Sequence, residues 1–278
     1  MRFFEWEILV SAQTFTPRLN QSALFKKVEQ GEKIAMFTGY DASFAKMLEL
    51  AGADCILIGD SLGNVIQGQD TTLPVTLADI IYHTKNVKRG CAVPFILSDM
   101  PFGTSQISPE KTFENAVQLM AAGAQMVKIE GGAEMADTVR FLTSRGIPVC
   151  AHIGLTPQSV HVMGYKVQGK DEKSARYLKD SALALQDAGA TMMVLEAIPS
   201  DLAYEITCET ALITIGIGAG AQTRGQVLVI YDMLDIPPGK KAKFVRNFMA
   251  DSDCIQNAIT LAVDSIKNGS FPAKEHCY

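Results

Sequence analysis

The stretch Gly52–Asp60, GADCILIGD, decides the fold, because its grammar returns four more times along the chain. Gly90 leads through VPFILS to Asp99, Gly123 through QMVKI to Glu130, Gly146 through PVCA to His152, and Gly189 through TMMVL to Glu196. Each unit is a glycine, a short apolar or β-branched run, and a polar residue that ends it. A glycine after a helix fits the left-handed cap that stops the helix. Near-continuous apolar runs of this length fit parallel strands buried on both faces. Helix then strand, repeated, gives βα units. Working outward, strands are predicted to begin near residues 34, 55, 94, 126, 148, 191, 212 and 227. Eight such strands within about 200 residues point to a (β/α)8 barrel. The last two are weakly separated, since TALITIGIGAGAQT (210–223) runs into GQVLVIYDML (225–234) with little room for a helix. A doubly wound open sheet therefore stays as the alternative. Helix starts agree with the register: Asp41 can cap a helix over 42–51, Thr76 with Asp79 resembles a capping box, and Ser108 stands before Pro109.

The chain has 278 residues, 47% hydrophobic and 20% charged, with 25 basic against 30 acidic side chains. That composition suits a globular protein with a large core. With no linker or low-complexity tract to divide it, the chain reads as a single barrel domain over 21–278 after an N-terminal extension, 1–20. A net charge of −5 without a Lys/Arg-rich run argues against nucleic acid or an anionic membrane as partner. The longest stretch free of Asp, Glu, Lys and Arg, 146–165, contains His152, Gln158, Ser159, His161 and two prolines, so it is no membrane span. MRFFEWEILV at the start resembles a signal peptide only faintly, because Glu5 and Glu7 interrupt the apolar run; the expectation is a cytoplasmic protein. Six scattered cysteines without a CxxC pair read as reduced thiols. Four histidines without ligand spacing exclude a structural zinc site, so any metal would be oxygen-bound.

In such a barrel the reactive groups sit where strands end, and Asp60, Asp99, Glu130, His152 and Glu196 all terminate apolar runs. Lys128 lies two residues before Glu130 and so points to the same side. A lysine inside an apolar strand needs a partner or an anionic ligand. Convergent carboxylates without thiolates suit a hard divalent cation such as Mg2+. A 2-oxo acid offers that cation a chelating pair of oxygens, and polarising its carbonyl acidifies the adjacent carbon. The class of reaction read from the residues is metal-assisted proton abstraction next to a carbonyl.

The wording of the motifs then resembles the ketopantoate hydroxymethyltransferase family over roughly 21–273. The segments are GDSLGNVIQGQDTTLPVT (59–76), YHTKNVKRG (82–90), SDMPFGT (98–104), MVKIEGG (126–132), HIGLTPQSVHVMGYKVQG (152–169), VLEAIP (194–199), IGIGAG (215–220) and the closing FPAKEH. The resemblance implies a phosphoenolpyruvate/pyruvate-type barrel that binds Mg2+ through Asp60 and Asp99, with Glu130 close by. It implies that Asp60, Ser61, Asp99, Lys128 and His152 contact 3-methyl-2-oxobutanoate, and that Glu196 is the base. It also implies 5,10-methylenetetrahydrofolate as cosubstrate, 2-dehydropantoate as product on the way to pantothenate and coenzyme A, and a homo-oligomer, often a decamer. The chain departs from the family pattern at Arg224, where Asp is usual, and Tyr231, where His is usual. Both direct attention to the seventh and eighth βα loops and to folate affinity. Gly216, Gly218 and Gly220 match a dinucleotide-binding turn only in part, since Ala221 takes the third glycine position; they read as sites of close backbone approach. His83 and His161 read as structural or surface residues, and 154–171 as a segment with enough glycine to cover the site.

Overall fold

The structure, a computed structural model, describes residues 18–278. Eight parallel strands, β1 (Ile34–Thr38), β2 (Cys55–Ile58), β3 (Phe95–Asp99), β4 (Met126–Glu130), β5 (Val149–Gly154), β6 (Met192–Glu196), β7 (Ile213–Ile217) and β8 (Gly225–Leu228), form a closed barrel in chain order. Pairing of Ile34–Phe37 with Gly225–Leu228 closes it and excludes the open sheet. Alternation along each strand creates two apolar layers. Ile34, Met36, Cys55, Leu57, Phe95, Leu97, Met126, Cys150, Met192, Val194, Ile213, Ile215 and Val227 fill the interior, and Leu24 of the helix Gln21–Glu29 joins them at the N-terminal end. Residues of opposite parity, such as Ile56, Ile96, Val127, Ala151 and Met193, pack outward against the helices. Each fully buried aliphatic side chain contributes roughly 1.5–3 kcal/mol of transfer free energy.

Local chemistry sets the helix starts. Asp41 accepts from the Ser43 and Phe44 amides, Thr76 and Asp79 form a reciprocal capping box, and Ser108 accepts from the Lys111 amide with Pro109 in the first turn. Four of the five repeat glycines, Gly52, Gly123, Gly146 and Gly189, carry positive φ after their helices. Gly90 does not: it is the last residue of the helix Leu77–Gly90, and a Cβ there would lie 2.3 Å from the Ala42 carbonyl oxygen. Its hydrogen lets two helices touch, which the sequence pattern reads equally well as a cap.

Two other expectations change in detail, and the short connection read between the last two strands holds. Residues 1–17 lie outside the described residues, but 18–20 belong to the body of the protein: Arg18 donates to the Pro94 carbonyl and the Leu19 amide to the Val93 carbonyl at 2.8 Å. Residues 218–224 join β7 to β8 without a helix. Arg224 precedes β8 at the end of the barrel opposite the strand-end acids, where its guanidinium donates to the carbonyls of Thr207, Thr210 and Leu212. It closes the carbonyl end of the helix Ser200–Glu209 and takes no part in the eighth loop's binding face.

Candidate functional site

The inward parity that fills the barrel with apolar side chains continues to its C-terminal end, where the residues become ionisable. Asp99 follows Leu97, Lys128 and Glu130 follow Met126, His152 follows Cys150, and Glu196 follows Val194, each at steps of two. Strand register sets Asp99 beside Lys128 and Glu130 beside His152. Asp60 and Ser61 come from the loop after β2. All seven line one cavity of about 840 Å³.

Lys128 is the centre of this cluster. The residue is 4% exposed, and its ammonium lies 2.9 Å from Asp99 Oδ1, 3.6 Å from Glu130 Oε1 and 3.1 Å from His152 Nδ1. Burial alone would lower its pKa, but Asp99, Glu130 and Asp60 hold it above the ordinary lysine value. His152 reaches Glu130 through Nδ1 at 3.4 Å and Glu196 through Nε2 at 3.3 Å. Burial and the Lys128 charge depress the imidazole, yet these two carboxylates outweigh them and push it up to about 9. Glu130 is shifted down: burial opposes ionisation, but Lys128 and His152 win. Asp60 and Asp99 are both shifted up, first by burial and then by neighbouring carboxylate charge. Four carboxylates thus surround two cationic side chains.

The expected trio of metal carboxylates is not assembled as such. Among the described residues no three His, Cys, Asp or Glu side chains are arranged to hold a metal by themselves. Glu130 is drawn away because Oε1 faces Lys128 and His152 while Oε2 accepts from the Gln158 amide at 3.0 Å. Asp60 and Asp99 stay together, the Asp60 amide donating to Asp99 Oδ2 at 3.1 Å. Asp99 Oδ1 and Glu130 Oε1 are buried without a well-directed hydrogen bond.

Glu196 is 14% exposed to the cavity by its side chain. Its backbone is held tightly. The Leu155 amide donates to the Glu196 carbonyl at 2.8 Å, and Ala197 beside it carries a φ of +46°, a left-handed conformation uncommon for a residue with a Cβ.

Several contributors escaped the sequence reading. Gln158 is buried and donates from Nε2 to Asp60 Oδ2 at 2.9 Å and to the Met100 carbonyl at 3.0 Å, tying the loop after β5 to the base of the site. The covering segment is thereby anchored at one end, while its Tyr165, Lys166 and Val167 border the cavity. Tyr40, 1% exposed, places its hydroxyl 2.8 Å from Ser61 Oγ. Tyr231 packs on Tyr40 and Phe44, with ring centroids 6.0 and 5.6 Å apart. Phe244, Tyr278 and Asp232 line the far wall. All three glycines near β7 are close-approach sites: a Cβ would meet Thr223 Oγ1 at 2.8 Å at Gly216, Phe244 at 2.8 Å at Gly218 and Ser200 at 2.7 Å at Gly220, and of these neighbours Phe244 lines the cavity. His83 binds the Tyr40 carbonyl through Nδ1 at 2.6 Å, a structural role, and His161 is exposed.

Comparisons with known proteins agree with this arrangement. The family model described as ketopantoate hydroxymethyltransferase matches residues 18–274. The chain is 65% identical over 270 residues to the 3-methyl-2-oxobutanoate hydroxymethyltransferase of Dechloromonas aromatica (strain RCB), covering 97% of this chain and 99% of that one. It is 58% identical over 262 residues to the protein of that name from Nitrosospira multiformis, covering 94% and 100%. Among solved structures, 2,3-dimethylmalate lyase, a PEP mutase/isocitrate lyase superfamily member, superposes with a TM-score of 0.56 at 18% identity over 76% of this chain and 79% of that one. That likeness shows a shared (β/α)8 barrel fold. Among the described residues no helix is long and apolar enough to cross a membrane. The match along nearly the whole length, with the strand-end residues in place, shows that the chain belongs to the ketopantoate hydroxymethyltransferase family.

Proposed function

We propose that this protein transfers the one-carbon unit of 5,10-methylenetetrahydrofolate to C3 of 3-methyl-2-oxobutanoate, giving 2-dehydropantoate and tetrahydrofolate. The observation that carries the reading is a buried ammonium, Lys128, and a carboxylate, Glu196, that line the same cavity with His152 in contact with both. A proton beside a ketone is too weakly acidic for a free carboxylate to remove, so most of the help must come from charge aimed at the developing enolate oxygen. Lys128 supplies positive charge there, while Glu196 takes the C3 proton. The electron pair of the broken C3–H bond passes into the enolate, and C3 forms the new carbon–carbon bond to the donor carbon. Over the whole reaction both carbon–nitrogen bonds of the methylene bridge are lost, one water supplies the hydroxyl oxygen, and the folate nitrogens regain protons. A positioned base adds on the order of 10²- to 10⁴-fold.

Asp60 and Asp99 are the residues that would hold Mg2+, since a hard cation takes one or two carboxylates and leaves other positions to water and substrate. When bound it supplies Lewis-acid polarisation of the keto oxygen. The fit rests on oxygen-only donors, on the upward shifts of Asp60 and Asp99, and on the undirected Asp99 Oδ1. Ser61, oriented by Tyr40, and His152 complete the keto acid contacts. The reading includes a cytoplasmic location and, as the family resemblance implies, a homodecamer; light scattering would reveal a different assembly.

The test follows exchange of the C3 proton of 3-methyl-2-oxobutanoate in heavy water by proton NMR, with protein and Mg2+. Exchange that disappears with chelator and in Glu196→Gln is expected. A Glu196→Gln variant with wild-type exchange would sink the base assignment.

A further inference from the structure

The cavity is larger than the keto acid chemistry needs. At about 840 Å³ it is near the upper end of the roughly 300–1,000 Å³ that holds drug-sized ligands, whereas the ionisable cluster at its base accounts for one five-carbon acid. One side of the remaining wall is formed by Val229, Asp232, Ala242, Phe244 and Tyr278. Most of this wall is apolar, as a flat ring requires, and one member is an acid that the chemistry above leaves unused.

Asp232 is that acid. It sits in the short helix Ile230–Met233 just after β8, and its side chain is 32% exposed. No hydrogen bond from the described residues reaches its carboxylate. Lys241, at 3.9 Å, lies beyond hydrogen-bond range and is shared with Asp235 at the same distance. Burial pushes the Asp232 carboxyl above its usual range, and Lys241 only partly offsets this. Such a group gains from paired donors brought by a ligand. The other acid away from the base, Asp70, is exposed to solvent.

A tetrahydropterin meets both features of the wall. Its 2-amino-4-oxo ring presents two adjacent N–H donors along one edge, the spacing a carboxylate accepts in bidentate fashion, and its remaining surface is flat. We propose that Asp232 is the binding residue for the one-carbon donor, accepting the N3–H and 2-amino donors of the pterin while the ring lies against Phe244 and Val229. This rests on the folate-dependent function proposed above. Tyr231 supports the residue from the same helix by packing on Tyr40 and Phe44.

The test separates donor binding from proton abstraction. Tetrahydrofolate binding to the Mg2+-loaded protein is measured by equilibrium dialysis for wild type, Asp232→Asn and Asp232→Glu, and C3 proton exchange is measured without folate. Asp232→Asn is expected to weaken tetrahydrofolate binding by about 10- to 100-fold, the scale of a charge-assisted hydrogen-bond pair, with Asp232→Glu recovering part of the loss. Proton exchange, which uses no donor, keeps its rate. A 2-desamino tetrahydrofolate should bind wild type less well than tetrahydrofolate, and the Asn variant should no longer distinguish the two. Undiminished tetrahydrofolate binding by Asp232→Asn, or a variant that still discriminates the desamino analogue as wild type does, overturns the inference. Loss of folate-free exchange in the variant also overturns it, by making the effect structural. Wild-type protein that exchanges the C3 proton neither alone nor with tetrahydrofolate would overturn the function instead.

Discussion

Gly154→Ala should remove activity by displacing the base without touching it. Gly154 ends β5 opposite Glu196 in the ladder, at a φ of +96°, and a Cβ placed there would lie 2.2 Å from the Glu196 carbonyl oxygen and 2.8 Å from Ile198 Cγ2. Contacts of this kind essentially never fall below 3.0 Å, so the Glu196 backbone must retreat by about 0.8 Å. The carbonyl cannot do so freely, because the Leu155 amide holds it at 2.8 Å. The side chain must follow, away from His152 Nε2 at 3.3 Å and from the substrate carbon. A misplacement near 1 Å costs about 10²-fold in rate. Overpacking adds roughly 1–3 kcal/mol of destabilisation, and a left-handed backbone for alanine about 1 kcal/mol more. The assay is C3 proton exchange per folded protein, with folded fraction followed by circular dichroism during thermal melting. Gly146→Ala, at the other end of the same strand, is the control: its φ is +83° but nothing lies within 4 Å of its Cβ. It should melt slightly earlier and exchange protons normally. Wild-type exchange in folded Gly154→Ala would refute the reasoning, because it would mean that the glycine serves only the backbone angle.

Two further perturbations follow from contacts remote from the chemistry. Glycine to alanine within a helix usually stabilises by about 0.5–1 kcal/mol, but Gly90→Ala should reverse the sign, since its Cβ would lie 2.3 Å from the Ala42 carbonyl oxygen and 2.5 Å from its Cα. Urea unfolding should show a loss of roughly 1–3 kcal/mol, and a gain would show that the two helices can separate at little cost. Glu49 accepts from the amides of Ala92 and Val93 and pairs with Lys46 at 2.7 Å. Burial acts to raise its pKa, yet these donors bring it below the ordinary value. Its stabilisation is therefore complete above the unfolded pKa near 4.3 and is lost as pH falls through the lower folded value. Glu49→Gln should make unfolding less sensitive to acid in that window, and an unchanged acid limb in urea melts would contradict this.

What was legible in the sequence was whatever depends on one strand at a time. A strand's parity and its end are written in its own residues, so Asp99, Lys128, Glu130, His152 and Glu196 could be placed at the C-terminal face before any contact was known. Residues whose roles depend on two distant segments were not legible. Gln158 is a neutral side chain in a loop, and nothing local says that the loop folds back to reach Asp60. Tyr40 and Asp232 share this difficulty, because their importance comes from the cavity between loops. Gly90 shows the limit from the other side: a glycine at a helix end can serve a left-handed cap or a close helix contact, and only the neighbour, Ala42, separates the two.

The same parity that makes the site legible also explains why its charge is unbalanced. A barrel interior is closed at one end by Leu24 and lined by aliphatic side chains, so ionisable residues at the other end are grouped in a poorly solvated region. Four carboxylates there, Asp60, Asp99, Glu130 and Glu196, are grouped with Lys128 and His152, which make the ion-pair contacts with Asp99, Glu130 and Glu196. Were the fold all that mattered, apolar residues at these positions would serve as well or better, since buried ion pairs seldom add stability over well-packed hydrophobic ones. The upward shifts at Asp60 and Asp99 record that negative charge there lacks enough compensation, which a bound divalent cation would supply. Glu196 is left outside that pair, tied to the imidazole and partly exposed to the cavity, which is the position a base needs if it is to accept a proton while its neighbours hold charge.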